Sequence, residues 1–206
     1  MAVPFTPGNH SAGREYTVID TKASTTMAGL GIVQAGADIL AQPARGFDLP
    51  AEADAASAVV EDLFNAMDRV SRVHPFAKGM GIAAPQIGID RRAAVVRPAD
   101  PHAPAIILLN PVVAAESDET DEQYEGCLSF FDVRGLVPRP LHITVETTTL
   151  TGELVTTDYH HGLARLLLHE IDHLAGALYT ARMRPGIEPI PVAEYRLSGQ
   201  NWNYEQ

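Results

Sequence analysis

Two histidines separated by three residues stand in the segment 169–173, with the letters HEIDH. Apolar residues recur at spacings of three and four from Gly162 to Tyr179, which predicts a helix around this segment. On a helix, His169 and His173 lie about 40° from each other, so both imidazoles can reach one ion. Glu170 projects beside them, where it can serve as general base to a water activated by the ion. The segment therefore predicts a helix that carries a divalent metal.

A catalytic site of this kind has three protein ligands and an open coordination position. Downstream of the histidines, Glu188 or Glu194 would complete the two-histidine, one-glutamate set of a zinc endoprotease. Upstream lies Cys127, the single cysteine of the chain. Gly126 before it and Ser129 after it predict that this thiol sits in a turn rather than in an apolar run. The residue pattern alone leaves both ligand sets open.

The composition excludes several classes of protein. One cysteine forms no intrachain disulfide, which argues against a disulfide-stapled secreted scaffold and for a reducing, intracellular setting. The net charge of -11 argues against broad binding to nucleic acid or to anionic lipid. The chain also shows no signal-peptide pattern and no apolar run of about 18 residues. We therefore expect a cytoplasmic protein that binds neither nucleic acid nor membrane.

The length of 206 residues fits one domain. Residues 1–26 are polar and lack a clear hydrophobic period, so we expect a poorly ordered N-terminal extension there and a catalytic domain over residues 27–206.

The hydrophobic pattern predicts an α+β fold, with mixed or antiparallel strands packed around the metal-bearing helix. An amphipathic helix is predicted from Glu52 to Val73, before His74-Pro75. The acidic stretch Glu116–Glu125 is predicted to be a solvated loop. A turn at Gly152 is predicted to close a hairpin. Strands are predicted at Ala93–Arg97, Ala105–Leu109, Pro111–Ala115, Ile143–Thr149 and Leu154–Thr157.

Three segments resemble the motifs of the peptide deformylases, and they occur in the order of that family. Residues 79–86, GMGIAAPQ, resemble its glycine-rich first motif. Residues 125–129, EGCLS, match the second, and residues 169–176, HEIDHLAG, match the third. Similarity in general layout extends from about Met27 to Pro185.

The resemblance implies a role for each residue that matches a motif. Cys127, His169 and His173 are implied as metal ligands, and Glu170 as the group that takes a proton from water and delivers it to the departing amine. The Gln86 side chain and the Leu128 backbone N–H are implied as donors to the oxyanion. Residues implied to contact substrate are Gly79, Met80, Gly81, Glu125, Gly126 and Phe130. Leu166 and Ile82 join Met80 and Phe130 as candidates for an apolar methionine pocket.

The same resemblance implies the reaction and its partners. The implied substrate is a nascent bacterial or organellar polypeptide that begins with formyl-methionine, and the implied product is formate. Transient proximity to the ribosome follows from such a substrate. One divalent ion is implied, Fe²⁺ first and Zn²⁺ or Ni²⁺ as alternatives, because imidazole and thiolate suit all three. Glu125 and Arg139 are predicted to pair and to brace the second motif.

The chain departs from the family pattern close to the site. Phe130-Phe131 stands where the family usually has a small apolar residue and proline, and the segment His74–Lys78 resembles an insertion before the first motif. These departures bear on substrate preference more than on chemistry. They leave open a paralogue that acts on another formamide or small acylated molecule. A binding module that keeps the metal without turnover is disfavoured, because a structural site needs neither Glu170 nor an open position.

Overall fold

The computed structural model describes residues 22–199 of the chain. The α-helices of this part are α1 (Ala23–Gly29), α2 (Ala53–Ser71), α3 (His161–Leu174) and α4 (Val192–Leu197), and short 3-10 helices lie at Asp38–Ala41, Ala84–Ile87 and Tyr179–Arg182. The strands are β1 (Met80–Ala83), β2 (Ala93–Arg97), β3 (Ile106–Leu109), β4 (Val112–Glu116), β5 (Thr120–Cys127), β6 (Phe130–Pro140), β7 (His142–Thr148), β8 (Leu154–His160) and β9 (Ile190–Pro191). All pairs between these strands are antiparallel, which confirms the predicted α+β class.

Helix α2 forms where the sequence predicts it, within two residues at each end. Its buried positions, Ala56, Leu63, Ala66, Met67 and Val70, follow the helical spacing of the apolar residues. It ends before Pro75, because proline disfavours helical backbone in the residue that precedes it.

The sheet β1-β2-β3 lies between α2 and α3. Alternate side chains of a strand point to opposite faces, so Ile82 and Val95 pack in the core cluster of α2. Ala83 and Ala94 point the other way, into the cluster that holds Leu167 and the rest of the apolar face of α3. One apolar layer thus packs α2 on the sheet, and the other packs α3 on its opposite face.

The hairpin β7-β8 forms around Gly152, which has a φ of 85°. Left-handed backbone of this kind is readily adopted by glycine. The Gly152 N–H donates to the Thr149 carbonyl at 2.9 Å, as the predicted turn requires. These strands join β4 in a second sheet, while β5, β6 and β9 form the third.

The prediction of a solvated loop at Glu116–Glu125 is wrong, because Thr120–Cys127 is strand β5. It pairs with β6 in a continuous ladder from Thr120 opposite Pro140 to Glu125 opposite Gly135. Asp121, Glu125 and Cys127 are each more buried than the residues beside them in the strand. The two carboxylates can face inward because buried arginines bind them, as described below.

Residues 1–21 of the predicted N-terminal extension lie outside the described residues. Residues 23–26 belong to α1, so helix begins four residues before the predicted boundary. The backbone N–H of Ser24 donates to the carboxylate of Asp132 on β6 at 2.9 Å, and its hydroxyl donates to the same group. Met27 is buried in the main core, which ties α1 to the domain. No helix within residues 22–199 has both the length and the apolar character needed to cross a membrane.

Candidate metal centre

The side chains of Cys127, His169 and His173 converge in the interior. One ligand atom from each lies within 4.8 Å of the other two, and all three residues are buried. The Cys127 Sγ atom lies 3.1 Å from Nε2 of His173. The structure thus brings together a thiolate and two imidazoles, the three residues that the motifs single out.

A tight turn between β5 and β6 holds the cysteine in place. Cys127 is the last residue of β5 and is paired with Phe130, the first residue of β6. Leu128 and Ser129 form the turn between them, and the Ser129 N–H points to Sγ of Cys127 at 3.4 Å. The thiol therefore lies at a strand end that enters a turn, close to the predicted position in a turn.

A buried carboxylate orients the first histidine. Nδ1 of His169 lies 2.9 Å from Oε2 of Glu125. Because this contact places the Nδ1 proton on the carboxylate side, it leaves Nε2 of His169 as the free ligand atom. Glu125, which was predicted to contact substrate, is among the residues that line the cavity described below, and its carboxylate is bound to His169 and to buried arginines.

Two arginines donate hydrogen bonds to the carboxylate of Glu125. Arg139 donates to both carboxylate oxygens, at 2.9 and 3.0 Å, which confirms the predicted Glu125–Arg139 pair. Arg165 donates to Oε1 of Glu125 at 2.8 Å and to Asp121 at 2.6 Å. Arg139 also donates to Asp172 at 2.7 Å. The second motif is therefore braced by a buried ionic network rather than by one pair.

The network sets the charge state of the site. Burial alone would raise the pKa of Glu125, but hydrogen bonds from His169 and Arg139 outweigh it and lower that pKa. Burial would likewise raise the pKa of Cys127, yet the neighbouring His173 and His169 bring it well below its ordinary range. For His169, burial favours the neutral form, while Cys127 and Glu125 raise its pKa well above the usual value. The thiol is thus poised as a thiolate.

Glu170 lies against β1 and has no fixed partner for one of its oxygens. Burial raises its pKa to about 7. Its Oε2 atom is buried without a hydrogen-bond partner. A side chain at Gly81 would overlap the Glu170 carboxyl group, because a Cβ there would lie 2.6 Å from Cδ. Only glycine at position 81 allows Glu170 to occupy this place beside the ligands.

Gln86 is fixed so that its amide N–H groups face the cysteine. Its Oε1 accepts from the Ala83 N–H at 2.8 Å, so Nε2 points toward Cys127 at 3.5 Å and Ser129 Oγ at 3.3 Å. The amide nitrogen is therefore a donor next to the cluster, where the resemblance places it.

A segment that the sequence analysis did not single out joins the first two motifs. The Val33 N–H donates to the Gln86 carbonyl at 2.8 Å, and the Ala35 N–H donates to the Ser129 carbonyl at 2.7 Å. Gln34 Nε2 contacts the Leu128 carbonyl at 3.3 Å. Nothing in the local sequence of residues 33–35 indicates this role, because the contacts are mostly made by backbone atoms.

A cavity of about 340 Å³ opens beside the cluster. Gly79, Met80, Gly81 and Leu166 line it, together with Gln86, Leu128, His169 and Glu170. Phe131, rather than the predicted Phe130, forms part of its wall. Phe130 packs beside Tyr179, and Ile82 is fully buried in the core. Neighbouring residues of a strand face opposite sides, so the start of β6 decides which phenylalanine reaches the cavity.

Further residues that line the cavity were not assigned to the site from the sequence. His74 and Phe76 precede β1, and Tyr195 belongs to α4. Arg134 lies over Gly126, where a Cβ would be 2.5 Å from its Cζ. The buried Arg165 was also missed. The signal that could have revealed it is a charged residue within an apolar helical run, one turn before His169.

The other proposed ligands lie elsewhere. Glu188 and Glu194 are exposed and are not part of the cluster in residues 22–199. The geometry therefore favours Cys127 over the two glutamates as third ligand.

The donor set fits a divalent transition metal. A thiolate and two imidazoles suit iron, zinc or nickel, whereas calcium and magnesium prefer oxygen ligands. The Glu125 contact orients one imidazole, as the outer partners of metal sites usually do.

Together, the fold and this cluster define a metal-dependent hydrolase of the α+β class. The family model described as "Polypeptide deformylase" matches residues 30–187. The chain belongs to the polypeptide deformylase family, and it is an enzyme that deformylates polypeptides.

Named relatives agree with this assignment. Peptide deformylase 1 of Bordetella pertussis is 36% identical over 152 residues, which cover 70% of this chain and 80% of the relative. A crystal structure of the class I type b peptide deformylase from Acinetobacter baumannii, bound to Met-Ala-Ser, is 33% identical, with a TM-score of 0.62 over 74% of this chain and 96% of that one. Arabidopsis thaliana peptide deformylase 1B is 30% identical, with a TM-score of 0.66 over 76% of this chain and 82% of that one.

Proposed function

We propose that this enzyme hydrolyses the formyl amide of formyl-methionine at the start of nascent polypeptides and releases formate. The observation that carries the proposal is the Cys127–His169–His173 cluster, with Glu170 beside it, at the base of an open and largely apolar cavity. The relative from Acinetobacter baumannii was crystallised with Met-Ala-Ser, a peptide that begins with methionine. Such a peptide has the form of a deformylated product.

Cys127, His169 and His173 hold the metal in this proposal. A divalent ion bound there would supply an activated water and would polarise the formyl carbonyl. Glu170 takes the proton of that water and then gives it to the departing amine of methionine. Burial raises the pKa of Glu170 above that of an ordinary carboxyl group, which suits both steps, because a general acid and base works best when its pKa lies near the working pH.

Two donors of the chain face the negative charge that develops on the formyl oxygen. One is the Gln86 Nε2–H, whose direction is fixed by the bond from Ala83 to Oε1. The other is the backbone N–H of Leu128, in the turn next to Cys127. Preorganised donors of this kind stabilise the tetrahedral transition state more than the planar amide.

The peptide backbone lies along the edge of β1. In the described sheet β1 pairs with β2 on one side only, and Gly79, Met80 and Gly81 line the cavity at its other edge. An extended peptide can add there as a further strand, with Gly126 across the cavity. Leu166 supplies an apolar contact for the methionine side chain, while Met80 lines the cavity from the α2 face of the sheet.

The native ion in this proposal is Fe²⁺, with Zn²⁺ and Ni²⁺ as ions that the same ligands accept. A nascent formylated polypeptide as substrate supports the proposal that the enzyme works in the bacterial cytoplasm, in transient proximity to the ribosome. The net charge of -11 argues against direct binding to ribosomal RNA. Residues 27–206 are proposed as the catalytic domain.

The test is formate release from formyl-Met-Ala by protein loaded anaerobically with Fe²⁺. We expect turnover by the native chain and a loss of about 10²- to 10⁴-fold in kcat for Glu170→Gln, with metal content unchanged. Glu61→Gln, at an exposed position of α2, is the matched control and keeps full activity. Absence of formate at full metal occupancy would overturn the proposal.

A further inference from the structure

One wall of the cavity consists of aromatic rings that the proposed mechanism does not use. The rings of His74 and Phe76 lie 4.6 Å apart between centroids. His74 also meets Phe131 edge to face, at 5.0 Å and 86°. These three residues, called the ring wall below, come from the segment before β1 and from the start of β6, and all of them line the cavity.

The ring wall lies on one face of the β1-β2-β3 sheet. Phe76 and Phe131 belong to the apolar cluster that packs on the α2 face. Leu166 belongs to the cluster on the opposite face, that of α3. The cavity at the edge of β1 therefore has two different walls, one aromatic and one aliphatic.

A peptide that adds to the edge of β1 presents its side chains to these walls in turn. Successive residues of a strand point to opposite faces of the sheet, so two consecutive side chains cannot reach the same wall. Leu166 lies one helical turn before His169 and Glu170, next to the place where the formyl group reacts. The residue that carries the formyl group therefore faces Leu166, and the residue that follows it faces the ring wall.

We infer that the ring wall is a binding subsite for the side chain of the second residue of the substrate, and that it takes an aromatic side chain. Aromatic rings gain from tilted and edge-to-face neighbours at centroid distances of about 4.5–7 Å, the arrangement that these rings already have among themselves. The guanidinium of Arg134 lies over Phe131, 5.0 Å from its centroid, and closes the wall on one side. This inference rests on the proposed function, because it assigns a place to the residue after formyl-methionine.

The test compares kcat/KM for formyl-Met-Phe and formyl-Met-Ala in the same Fe²⁺-loaded preparation. We expect a preference of about five-fold for the phenylalanine peptide, and a ratio near one after Phe76→Ala. The ratio does not depend on the fraction of active protein, so partial unfolding of the variant does not distort it. Phe131→Val, which alters the wall from β6, is expected to reduce the ratio in the same direction.

Val73→Ala is the matched control. Val73 lies in the same segment, but it is 52% exposed and does not line the cavity, so this variant keeps the preference. Equal values for the two peptides in the native enzyme would overturn the inference while the deformylase activity stands. A preference that survives Phe76→Ala and Phe131→Val would overturn it as well. Failure to release formate from either peptide would instead contradict the proposed function.

Discussion

The Nδ1 atom of His169 lies 2.9 Å from Oε2 of Glu125, so the carboxylate determines which nitrogen of this imidazole can bind a metal. We expect Glu125→Gln to weaken metal affinity by about 10- to 100-fold, because an amide neither carries the charge nor accepts as strongly. Titration of the Zn²⁺-loaded or Ni²⁺-loaded protein with a competing chelator measures the change.

Glu122→Gln provides the comparison for this variant. Glu122 lies on the same strand, but it pairs near the surface with Arg184 at 2.8 Å. We expect its removal to leave metal affinity unchanged. Equal affinities in the native protein and in Glu125→Gln would show that the contact to His169 does not support the metal.

The identity of the third ligand can be decided by two substitutions. We expect Cys127→Ala to lose stoichiometric metal, since two imidazoles remain without the thiolate. Glu194→Ala is expected to keep one ion per chain, because Glu194 is exposed on α4 and is not part of the cluster. Elemental analysis after gel filtration gives both values. The reverse result would favour the ligand set of an endoprotease.

The buried Glu170 makes the stability of the metal-free protein depend on pH. Its pKa is raised from an ordinary value of 4.5 to about 7, so the folded state holds this proton more tightly than the unfolded chain. The contribution of this carboxyl group to the free energy of unfolding is complete below about pH 4.5 and is lost as the pH rises through 7. Glu170→Gln lacks this titration.

Between pH 5 and pH 8, the stability of Glu170→Gln relative to the native chain is therefore expected to rise by about 2–3 kcal/mol. Urea unfolding of both metal-free proteins across this range provides the measurement, with Glu61→Gln expected to show no such trend. A constant difference between Glu170→Gln and the native chain would contradict a raised pKa at this position.

Arg165 is expected to be among the residues whose loss destabilises the domain most. Its guanidinium donates to Glu125, to Asp121 and to the Val137 carbonyl, all at 2.8 Å or less. Arg165→Met removes a buried cation that binds the carboxylates of Glu125 and Asp121. We therefore expect a loss of about 3–5 kcal/mol in the free energy of unfolding. Urea unfolding at neutral pH measures it.

Arg184→Met is the control for that experiment. Arg184 is largely exposed and pairs with Glu122, so its loss should cost about 0–1 kcal/mol. Similar unfolding midpoints for the two variants would mean that the buried network adds no more than a surface pair.

The features that sequence predicted well are those set by local periodicity. Helix α2, strand β2 and the turn at Gly152 follow from the spacing of apolar residues and from glycine, and the structure has them where they were expected. The face of α3 that carries His169 and His173 follows in the same way. Four residues make slightly more than one helical turn, whatever surrounds the helix.

Tertiary structure decided what depends on residues far apart in the chain. Strand β5 was not predicted, because acidic residues such as Asp121 and Glu125 usually face solvent. Here the Glu125 carboxylate is buried because Arg139 and Arg165 bind it, and these arginines lie 14 and 40 residues away in the chain. The choice of Phe131 over Phe130 depended on where β6 begins, since a shift of one residue along a strand moves each side chain to the other face.

The third metal ligand also separates what local sequence predicts from what tertiary structure decides. The sequence by itself determined two histidines and a glutamate on one helical face, together with two alternative sources of a third ligand. Only the packing of the β5-β6 turn against α3 brings Cys127 to 3.1 Å from His173, a residue 46 positions away. The helix forms from local spacing, whereas the complete metal centre needs the buried charges and the sheet that hold a distant strand end against it.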